Sequence, residues 1–428
     1  MTLELGVSKI DITPAERVPL AGFAARNNKP YEGIASRIYA RTAFFRHISP
    51  AGEQTKGILV SADLLWWGES LSKQIRAEIS KKWDVPESCI LLHGTHNHSG
   101  PQTNELMHPL LGWANSQYLQ FLKQRLHAGI EQAFQDLEET DIYRSSGECR
   151  LGVHRRAVVN GQVIFQANEA GEMDPEMLLF RFRRKREEKD KALFVHYAVH
   201  PVISRENQVS AEFTGAAMNR LEQTFEGCTA FYLQGCCGDI NVDFTKNKMF
   251  QTGDEQQVEA FAEKLAQTAE KILSQGGQKL QAGSIAGRTY RLSLPFQPLH
   301  AEKEMVEMAA SGESPYREWA QHMLSEESRN EKILEMTVMK LGEEMSFLAM
   351  NAEMVTAYGL YMKEKSNGKV VPLPYTNGMT GYIPTAEQLD EGGYEAEGSI
   401  YYFYLPGKLD RSVEQQVKGL ADQAIDWI

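Results

Sequence analysis

Short apolar runs alternate with longer amphipathic stretches along most of the chain, and this alternation constrains the fold more than any other feature. The runs typical of strands are Glu4–Ile10, Arg37–Phe45, Gly57–Ser61, Cys89–Leu92, Met177–Phe182, Ala192–Val199 and Ala230–Gln234. The stretches typical of helices are Ser70–Lys82, Gln117–Asp136, Gly215–Phe225 and Gln256–Gln275. Strands that alternate with helices predict an α/β architecture, here with mixed sheets flanked by helices.

The rest of the chain predicts further strands and two helical segments. The strands are Ser284–Pro295, Leu334–Leu341 and Met345–Ala349, a helical excursion covers about residues 300–327, and an amphipathic helix covers about residues 412–428. No internal repeat and no linker rich in Pro, Gly or Ser divides the sequence. We therefore expect residues 1–428 to form one large domain.

Composition limits the partners and the compartment. With 45 basic and 57 acidic residues the net charge is −12, which disfavours nucleic acid and anionic membranes. No apolar stretch approaches the ~18 residues of a membrane span, and no secretory signal begins the chain. The cysteines are sparse, odd in number and form no CxxC pair, which is typical of a reducing cytoplasm. We expect a small-molecule substrate, no membrane insertion and a cytoplasmic location, and the sequence leaves a homo-oligomer open.

Two histidines follow one of the predicted strands, in the run Gly-Thr-His96-Asn-His98-Ser-Gly-Pro. On an extended chain, residues two apart point to the same face, so both rings would address one small volume. Imidazole is a common ligand of transition metals and a proton carrier near neutral pH. By themselves, however, two histidines on a strand are equally consistent with ordinary hydrogen-bonded polar residues.

Three more polar residues, His200, Glu353 and Tyr382, lie just beyond other apolar runs. Singly, they read more simply as a capped histidine, a surface acid and a core tyrosine. Together they can supply the three or four ligands of a metal site, because functional groups gather beyond strand ends in open α/β sheets. Asp63, beyond a further strand, is a candidate to orient a metal-bound histidine.

These residues belong to a longer series of motifs in a fixed order. The series comprises Gly6-Val-Ser-Lys-Ile-Asp-Ile-Thr-Pro14, Ser61-Ala-Asp63, Thr95-His-x-His-Ser-Gly-Pro101, His154-Arg-Arg156, His200-Pro201, Gly238-Asp-Ile-Asn241, Glu353, Gly381-Tyr-Ile-Pro384 and Tyr394-Glu395. In this series the chain resembles the neutral/alkaline ceramidase-like zinc hydrolases, from the N-terminus to about residue 399. The resemblance implies the fold of that family's catalytic domain.

The resemblance also implies a cofactor and a role for each site residue. Zn²⁺ would be bound by His96, His200, Glu353 and Tyr382, with an open position where metal-bound water becomes a hydroxide nucleophile. His98 would carry protons near the leaving group. Arg155 and Tyr394 would hold the substrate carbonyl and the oxyanion.

Two departures from the family pattern shape the expected substrate. Asn241 stands where ceramidases have a serine with a catalytic role, and an amide cannot act as an acyl-accepting nucleophile, so Asn241 is at most a hydrogen-bond donor. We also expect the protein to lack the C-terminal β-sandwich and the leader of ceramidases. We therefore expect a zinc-dependent hydrolase that cleaves an amide bond, or an ester or lactone, of a small, soluble, polar substrate.

Three alternatives stay open at this stage. The first is a metal-dependent lyase or isomerase that acts on a carbohydrate-like substrate, prompted by the missing serine. The second is a true ceramidase. The third is a catalytically inactive, metal-stabilised binding protein, which the intact ligand set disfavours because decay of a site usually removes some of its ligands.

Overall fold

The structure is a computed structural model, and it describes residues 2–187, 189–325 and 331–428. Its strands, numbered in chain order, are β1 Thr2–Asp11, β2 Gly33–Ile34, β3 Tyr39–Ile48, β4 Gln54–Ala62, β5 Ile90–Gly94, β6 Glu138–Glu148, β7 Gly152–Val159, β8 Gln162–Asn168, β9 Glu176–Arg184, β10 Asp190–Tyr197, β11 Gln208–Val209, β12 Thr229–Gln234, β13 Ile240–Val242, β14 Thr245–Lys246, β15 Met249–Phe250, β16 Gln278–Leu280, β17 Ile285–Ser293, β18 Phe296–Pro298, β19 Ile333–Leu341, β20 Ser346–Met350, β21 Glu353–Met354, β22 Val370–Leu373, β23 Tyr382–Ile383 and β24 Gly407–Leu409. Its helices are α1 Glu69–Trp83, α2 Ser116–Gln135, α3 Glu212–Thr224, α4 Glu255–Ser274, α5 Glu302–Ser311, α6 Tyr316–Met323, α7 Thr356–Lys365, α8 Ala386–Glu391 and α9 Val413–Asp426.

The largest sheet has the strand order β12-β10-β9-β6-β1-β3-β4-β5, with β16 added beside β6. Most of its neighbours are antiparallel, but β4 and β5 are parallel, as are β10 and β12. Each parallel pair is joined by a helical crossover, α1 or α3, as parallel strands require. The sheet curls until its two ends touch: Ser61 Oγ donates to Tyr232 O at 2.6 Å, and Gln234 N donates to His93 Nε2 at 2.9 Å.

Smaller sheets complete the architecture. A second sheet has the order β17-β19-β20-β22, and a third has the order β13-β7-β8. Two-residue strands also pair in parallel, β21 with β23. The largest apolar core joins the main sheet to α2 and to the second sheet, through side chains such as Phe44, Leu126 and Phe347. Two further cores lie where α3 and α4 cover β10 and β12, and where α7 and α9 cover the second sheet.

The predicted α/β architecture with mixed sheets is confirmed. Every strand and helix expected before residue 281 overlaps an element of the same type. The sequence pattern does not predict β6, β7 and β8, because polar residues occupy many of their positions and β8 leaves apolar side chains exposed. Within the described ranges, no helix combines the length and the hydropathy that crossing a lipid bilayer requires.

The helical segment expected at about residues 300–327 contains α5 and α6, and residues 326 and 327 lie outside the described ranges. Trp319 of α6 is fully buried, and its Nε1 donates to Leu405 O at 2.8 Å. This anchors the 399–405 segment, where the Phe403 ring packs 5.8 Å from the Tyr382 ring. The excursion therefore supports one wall of the candidate site.

Candidate metal centre

His96 lies in a strained turn that follows β5. Its φ is +62°, in the left-handed region that residues with a Cβ rarely adopt. The ring stacks on Tyr375 with the centroids 3.9 Å apart, and Nδ1 lies 3.2 Å from Leu65 O. Because a carbonyl oxygen only accepts hydrogen bonds, Nδ1 carries the ring proton. Nε2 therefore presents a lone pair.

His200 follows β10, and backbone carbonyls fix its ring in the same way. Nδ1 lies 2.7 Å from Cys237 O and 3.0 Å from Ile240 O, so Nδ1 carries the proton and Nε2 presents a lone pair. Burial, followed by the charge of Arg155, lowers the pKa of His200 to about 4. The ring is therefore neutral at pH 7.

Glu353 brings a carboxylate to the two histidines. It is 1% exposed, and its Oε1 lies 2.9 Å from His200 Nε2 and 3.2 Å from His96 Nε2. Burial raises the pKa of Glu353, and positive charge on the two imidazoles would hold it well below its usual range. Because both Nε2 atoms lack a proton, the buried carboxylate stays ionised only when another positive charge lies beside it.

This arrangement fits a metal ion. The Nε2 atoms of His96 and His200 are 3.0 Å apart, and neither has a proton to share with the other. Glu353 Oε1 is buried beside them without a hydrogen-bond donor. Lone pairs and a negative charge this close together repel one another unless a cation or a proton lies among them. Imidazole and carboxylate are also a donor set that binds transition metals.

His98 adds a third imidazole. Its Nε2 lies 3.4 Å from His96 Nε2, and one ring nitrogen from each of His96, His98 and His200 lies within 4.8 Å of the other two. Burial, followed by the neighbouring imidazoles, lowers the pKa of His98 well below its usual range. The expected convergence of His96 and His98 is present, but the expected reason is wrong. Strand β5 ends at Gly94, so the turn at His96 brings the rings together rather than alternation along an extended strand.

Arg155, on β7, connects the other predicted site residues. Nη2 lies 3.1 Å from Tyr382 Oη, and Nη1 lies 3.2 Å from Asn241 Oδ1 and 3.4 Å from His200 Nε2. Tyr382 is placed by the register of the β21–β23 pair, where it lies opposite Glu353. Since Asn241 Oδ1 faces the guanidinium, Nδ2 is the donor that Asn241 has left for a ligand. Six predicted residues, His96, His98, His200, Glu353, Tyr382 and Arg155, therefore meet with Asn241 in one place.

Glu395 is a site residue that the sequence reasoning missed. Its carboxylate accepts from Arg155 Nε at 2.8 Å and from Arg156 Nη1 at 2.6 Å, and it is buried. Consecutive strand residues normally point to opposite faces, but a register shift between His154 and Arg156 lets both guanidinium groups reach one acid. The available sequence signal was the adjacent pair Arg155 and Arg156 in a strand-like segment. At least one of them had to be buried, and a buried cation needs an acidic partner.

Tyr394 lies at the rim of the site, on the π-helical turn that also carries Glu395. It is 39% exposed, and its ring meets the Tyr382 ring edge-on, with the centroids 5.6 Å apart. The rim opens into a cavity of about 330 Å³, lined by Gly22, Phe23, His98, Arg155, Phe165, His200, Val202, Arg205, Asn241, Tyr382 and Tyr394. All the predicted catalytic residues therefore border one open cavity.

The expectation for Asp63 is wrong. Its buried carboxylate lies 3.2 Å from Arg41 Nη1 and accepts from Tyr39 N at 2.9 Å. The histidine rings are oriented by backbone carbonyls instead, Leu65 O for His96 and Cys237 O for His200. A carboxylate beyond a strand can orient a metal ligand or neutralise a buried cation, and the sequence does not say which.

The fold and the site together define a mixed α/β protein with a buried candidate metal centre at the end of a cavity. The sequence model of neutral/alkaline non-lysosomal ceramidase, N-terminal, matches residues 3–281. The chain therefore belongs to the neutral/alkaline non-lysosomal ceramidase family. A search of curated proteins found no match.

Solved structures of similar fold include two ceramidases. A ceramidase complexed with C2 aligns with a TM-score of 0.77 and 17% identity, over 99% of this chain and 75% of that one. The neutral ceramidase from Pseudomonas aeruginosa aligns with a TM-score of 0.76 and 18% identity, over 100% of this chain and 75% of that one. At these identities the likeness shows the fold.

Proposed function

We propose that this chain is a zinc-dependent hydrolase that cleaves an amide bond, with an ester or lactone as the related alternative. The observation that carries the proposal is the convergence of two proton-free Nε2 atoms, from His96 and His200, on the buried Glu353 Oε1, which has no hydrogen-bond donor. Membership of the ceramidase family supports the amide as the bond that is cleaved.

The proposed metal ligands are His96, His200, Glu353 and Tyr382. Nitrogen and oxygen donors of this kind suit zinc, and an ion held by them supplies Lewis acidity to a carbonyl and to the attacking water. Tyr382 is the least usual of the four ligand types. Burial, followed by the charge of Glu353, raises the pKa of its phenol well above the usual range, and the contact with Arg155 Nη2 opposes that shift.

The other residues act on charge and protons. Arg155, fixed by Glu395, places a positive charge beside the site, where it stabilises the negative charge that develops on the carbonyl oxygen of the substrate. The Tyr394 hydroxyl adds a hydrogen bond to the same oxygen. His98, neutral and buried, accepts a proton from the attacking water and passes it to the leaving amine. Asn241 Nδ2 donates to the bound substrate.

A small, polar substrate is supported by the walls beyond the metal centre. The site cavity adjoins an outer cavity of about 490 Å³, whose lining includes Arg26, Lys29, Glu32, Arg205 and Asn207. Charged walls stabilise polar groups better than acyl chains. Phe23, Phe165 and Val202 favour a second candidate, an N-acyl sphingosine, because they offer an apolar surface next to the site.

Metal content and hydrolysis test the proposal together. We expect purified protein to hold about one zinc per chain, to lose hydrolysis of a short N-acyl amide on chelation, and to regain it with zinc. His96→Ala removes both the metal and the activity, whereas His127→Ala, a control on α2 whose ring bonds Glu78, keeps both.

Two outcomes would change the conclusion. Full activity of the protein without metal would overturn the metal-dependent reaction. Hydrolysis of a long-chain N-acyl sphingosine as fast as that of the short polar amide would replace the polar substrate by the second candidate.

A further inference from the structure

Arg205 occupies the junction between the site cavity and the outer cavity. Its side chain lines both, as do Gly22, Phe23 and Tyr394. The guanidinium lies over the Phe23 ring, 5.7 Å from the centroid, and the same ring packs against His98 with the centroids 4.8 Å apart. One aromatic side chain therefore separates Arg205 from His98, the proposed proton carrier.

Arg205 has no counter-charge from the part of the chain that the structure describes. Among the described residues, neither Arg205 nor Lys29 of the outer cavity forms an ion pair. The lining of the outer cavity holds three cationic side chains, Arg26, Lys29 and Arg205, against the single acid Glu32. The whole chain has a net charge of −12, so the charge of the outer cavity's lining is opposite in sign to that of the rest of the protein.

The backbone around Arg205 is fixed in place. On one side, Ser204 N donates to the buried Glu212 carboxylate at 2.8 Å. On the other side, Arg26 Nη2 donates to Glu206 O at 2.7 Å, and Nη1 of the same arginine donates to His98 O. Arg26 thus ties the segment that carries Arg205 to the turn that carries His98. A site preorganised in this way loses little entropy when it binds a ligand.

We propose that Arg205 binds an anionic oxygen group, a carboxylate or a phosphate, on the substrate whose amide bond lies at the metal centre. A guanidinium matches two oxygens of either group with two parallel hydrogen bonds, and the Phe23 ring holds it for that purpose. Lys29 adds attraction further out. The inference rests on the proposed function and narrows its polar substrate to an acidic N-acyl compound.

Four short amides of similar size test the inference. N-hexanoylglycine places a carboxylate on the amine side, N-butylsuccinamic acid places one on the acyl side, and N-hexanoyl-phosphoethanolamine carries a phosphate. N-butylhexanamide is the neutral reference. For wild type we expect kcat/KM to be highest for one of the anionic compounds. That compound identifies whether Arg205 binds a carboxylate or a phosphate, and whether the group lies on the amine or the acyl side of the amide bond.

The decisive quantity is the ratio of kcat/KM for the best anionic compound to that for the neutral amide. In Arg205→Gln we expect this ratio to fall about tenfold or more, because a charge-assisted hydrogen bond is lost. Arg205→Lys should recover part of it. Arg186→Gln makes the same charge change in the turn before β10, at the opposite end of that strand from His200, and should leave the ratio at its wild-type value.

Calorimetric binding of the same compounds separates this inference from the proposed reaction. Suppose that no amide is hydrolysed, but an anionic compound binds more tightly than the neutral one and Arg205→Gln removes the difference. That result supports the anion subsite and contradicts the proposed reaction. An unchanged ratio in Arg205→Gln, or wild-type preference for the neutral amide in both binding and hydrolysis, overturns the subsite and leaves the reaction untouched.

Discussion

Glu353 and Tyr382 are direct partners across two parallel strands of only two residues each. The carboxylate of the first reaches His96 and His200, and the hydroxyl of the second reaches Arg155. This short ladder therefore couples the proposed metal ligands to the guanidinium that faces the substrate. A shift of one residue in its register would turn one of the two side chains away from the site.

Tyr382→Phe removes one hydroxyl from this ladder and keeps the ring. We expect the protein to fold, to bind zinc more weakly, and to lose about tenfold or more in kcat/KM, since a group that stabilises developing charge is gone. Competition with a zinc chelator measures the affinity. Tyr118→Phe is the control, because the hydroxyl of this α2 residue donates to Ile12 O, directly after β1 and away from the site. Equal losses in both variants would argue against a role for Tyr382 in the site.

His96 and His98 should respond differently to substitution. His96→Ala is expected to lose the metal, whereas His98→Gln is expected to keep it and lose about a hundredfold or more in kcat, as removal of a general acid–base does. Metal analysis by mass spectrometry, beside steady-state kinetics, separates the two. If His98→Gln also lost its metal, His98 would be a third nitrogen ligand and the proton carrier would have to be sought elsewhere.

Glu395→Gln tests how Arg155 is held. The carboxylate binds two buried guanidinium groups, so its neutralisation should cost about 3–5 kcal/mol in the free energy of unfolding. We expect kcat to fall as Arg155 moves, while the metal content stays at the wild-type value. Glu391→Gln is a matched control that touches Arg156 alone, through an acid that is 31% exposed. Loss of stability with unchanged kcat would limit Glu395 to a structural role.

Asn241 distinguishes hydrolysis from the lyase or isomerase alternative. Asn241→Ala removes both the acceptor for Arg155 Nη1 and the Nδ2 donor, so we expect lower kcat/KM on amides. Asn241→Ser shortens the side chain to the hydroxyl of the family pattern, and it should not exceed the wild-type rate. A large gain of amidase activity in Asn241→Ser would show that the native chain is adapted to a different reaction.

Two buried histidines away from the metal centre make stability depend on pH. Burial is the main cause that lowers the pKa of both His93 and His196 to about 3, and for His196 the charge of Lys363 adds to it. Unfolded chains bind these protons below about pH 6.5 while the folded protein does not, so stability is complete above that pH and falls as the pH decreases toward 3. The slope is at most about 1.4 kcal/mol per pH unit for each histidine.

Urea unfolding of the chelated protein between pH 4 and 7 measures that slope. His196→Gln removes one of the two groups and keeps a donor for Pro372 O, which lies 3.0 Å from His196 Nε2. We expect the variant to show a shallower dependence of the unfolding free energy on pH. An identical slope in the two proteins would mean that His196 is not the neutral, buried group described.

The polar residues of the site were readable from the sequence because chemistry selects few residue types. Imidazole and carboxylate beyond strand ends made His96, His200 and Glu353 candidates, and the resemblance to the ceramidase family implied that they are metal ligands. Glu395 was not readable as a partner of Arg155, since its role depends on a β-bulge and a π-helical turn that bring distant segments together. Arg205 gave no signal at all, because an exposed arginine in a loop usually faces only water.

The sequence by itself determined most of the longer strands and helices, although not β6, β7 and β8, because the period of the apolar residues reports which face must leave water. It also determined the donor types available to a metal. Only the tertiary structure decided that two ring nitrogens would face each other without a proton, that Asp63 would neutralise Arg41, and that Arg205 would stand alone at the cavity mouth. The reason is physical: a hydrogen bond or an ion pair depends on distances of about 3 Å between segments far apart in sequence, and the curl of the sheet sets those distances.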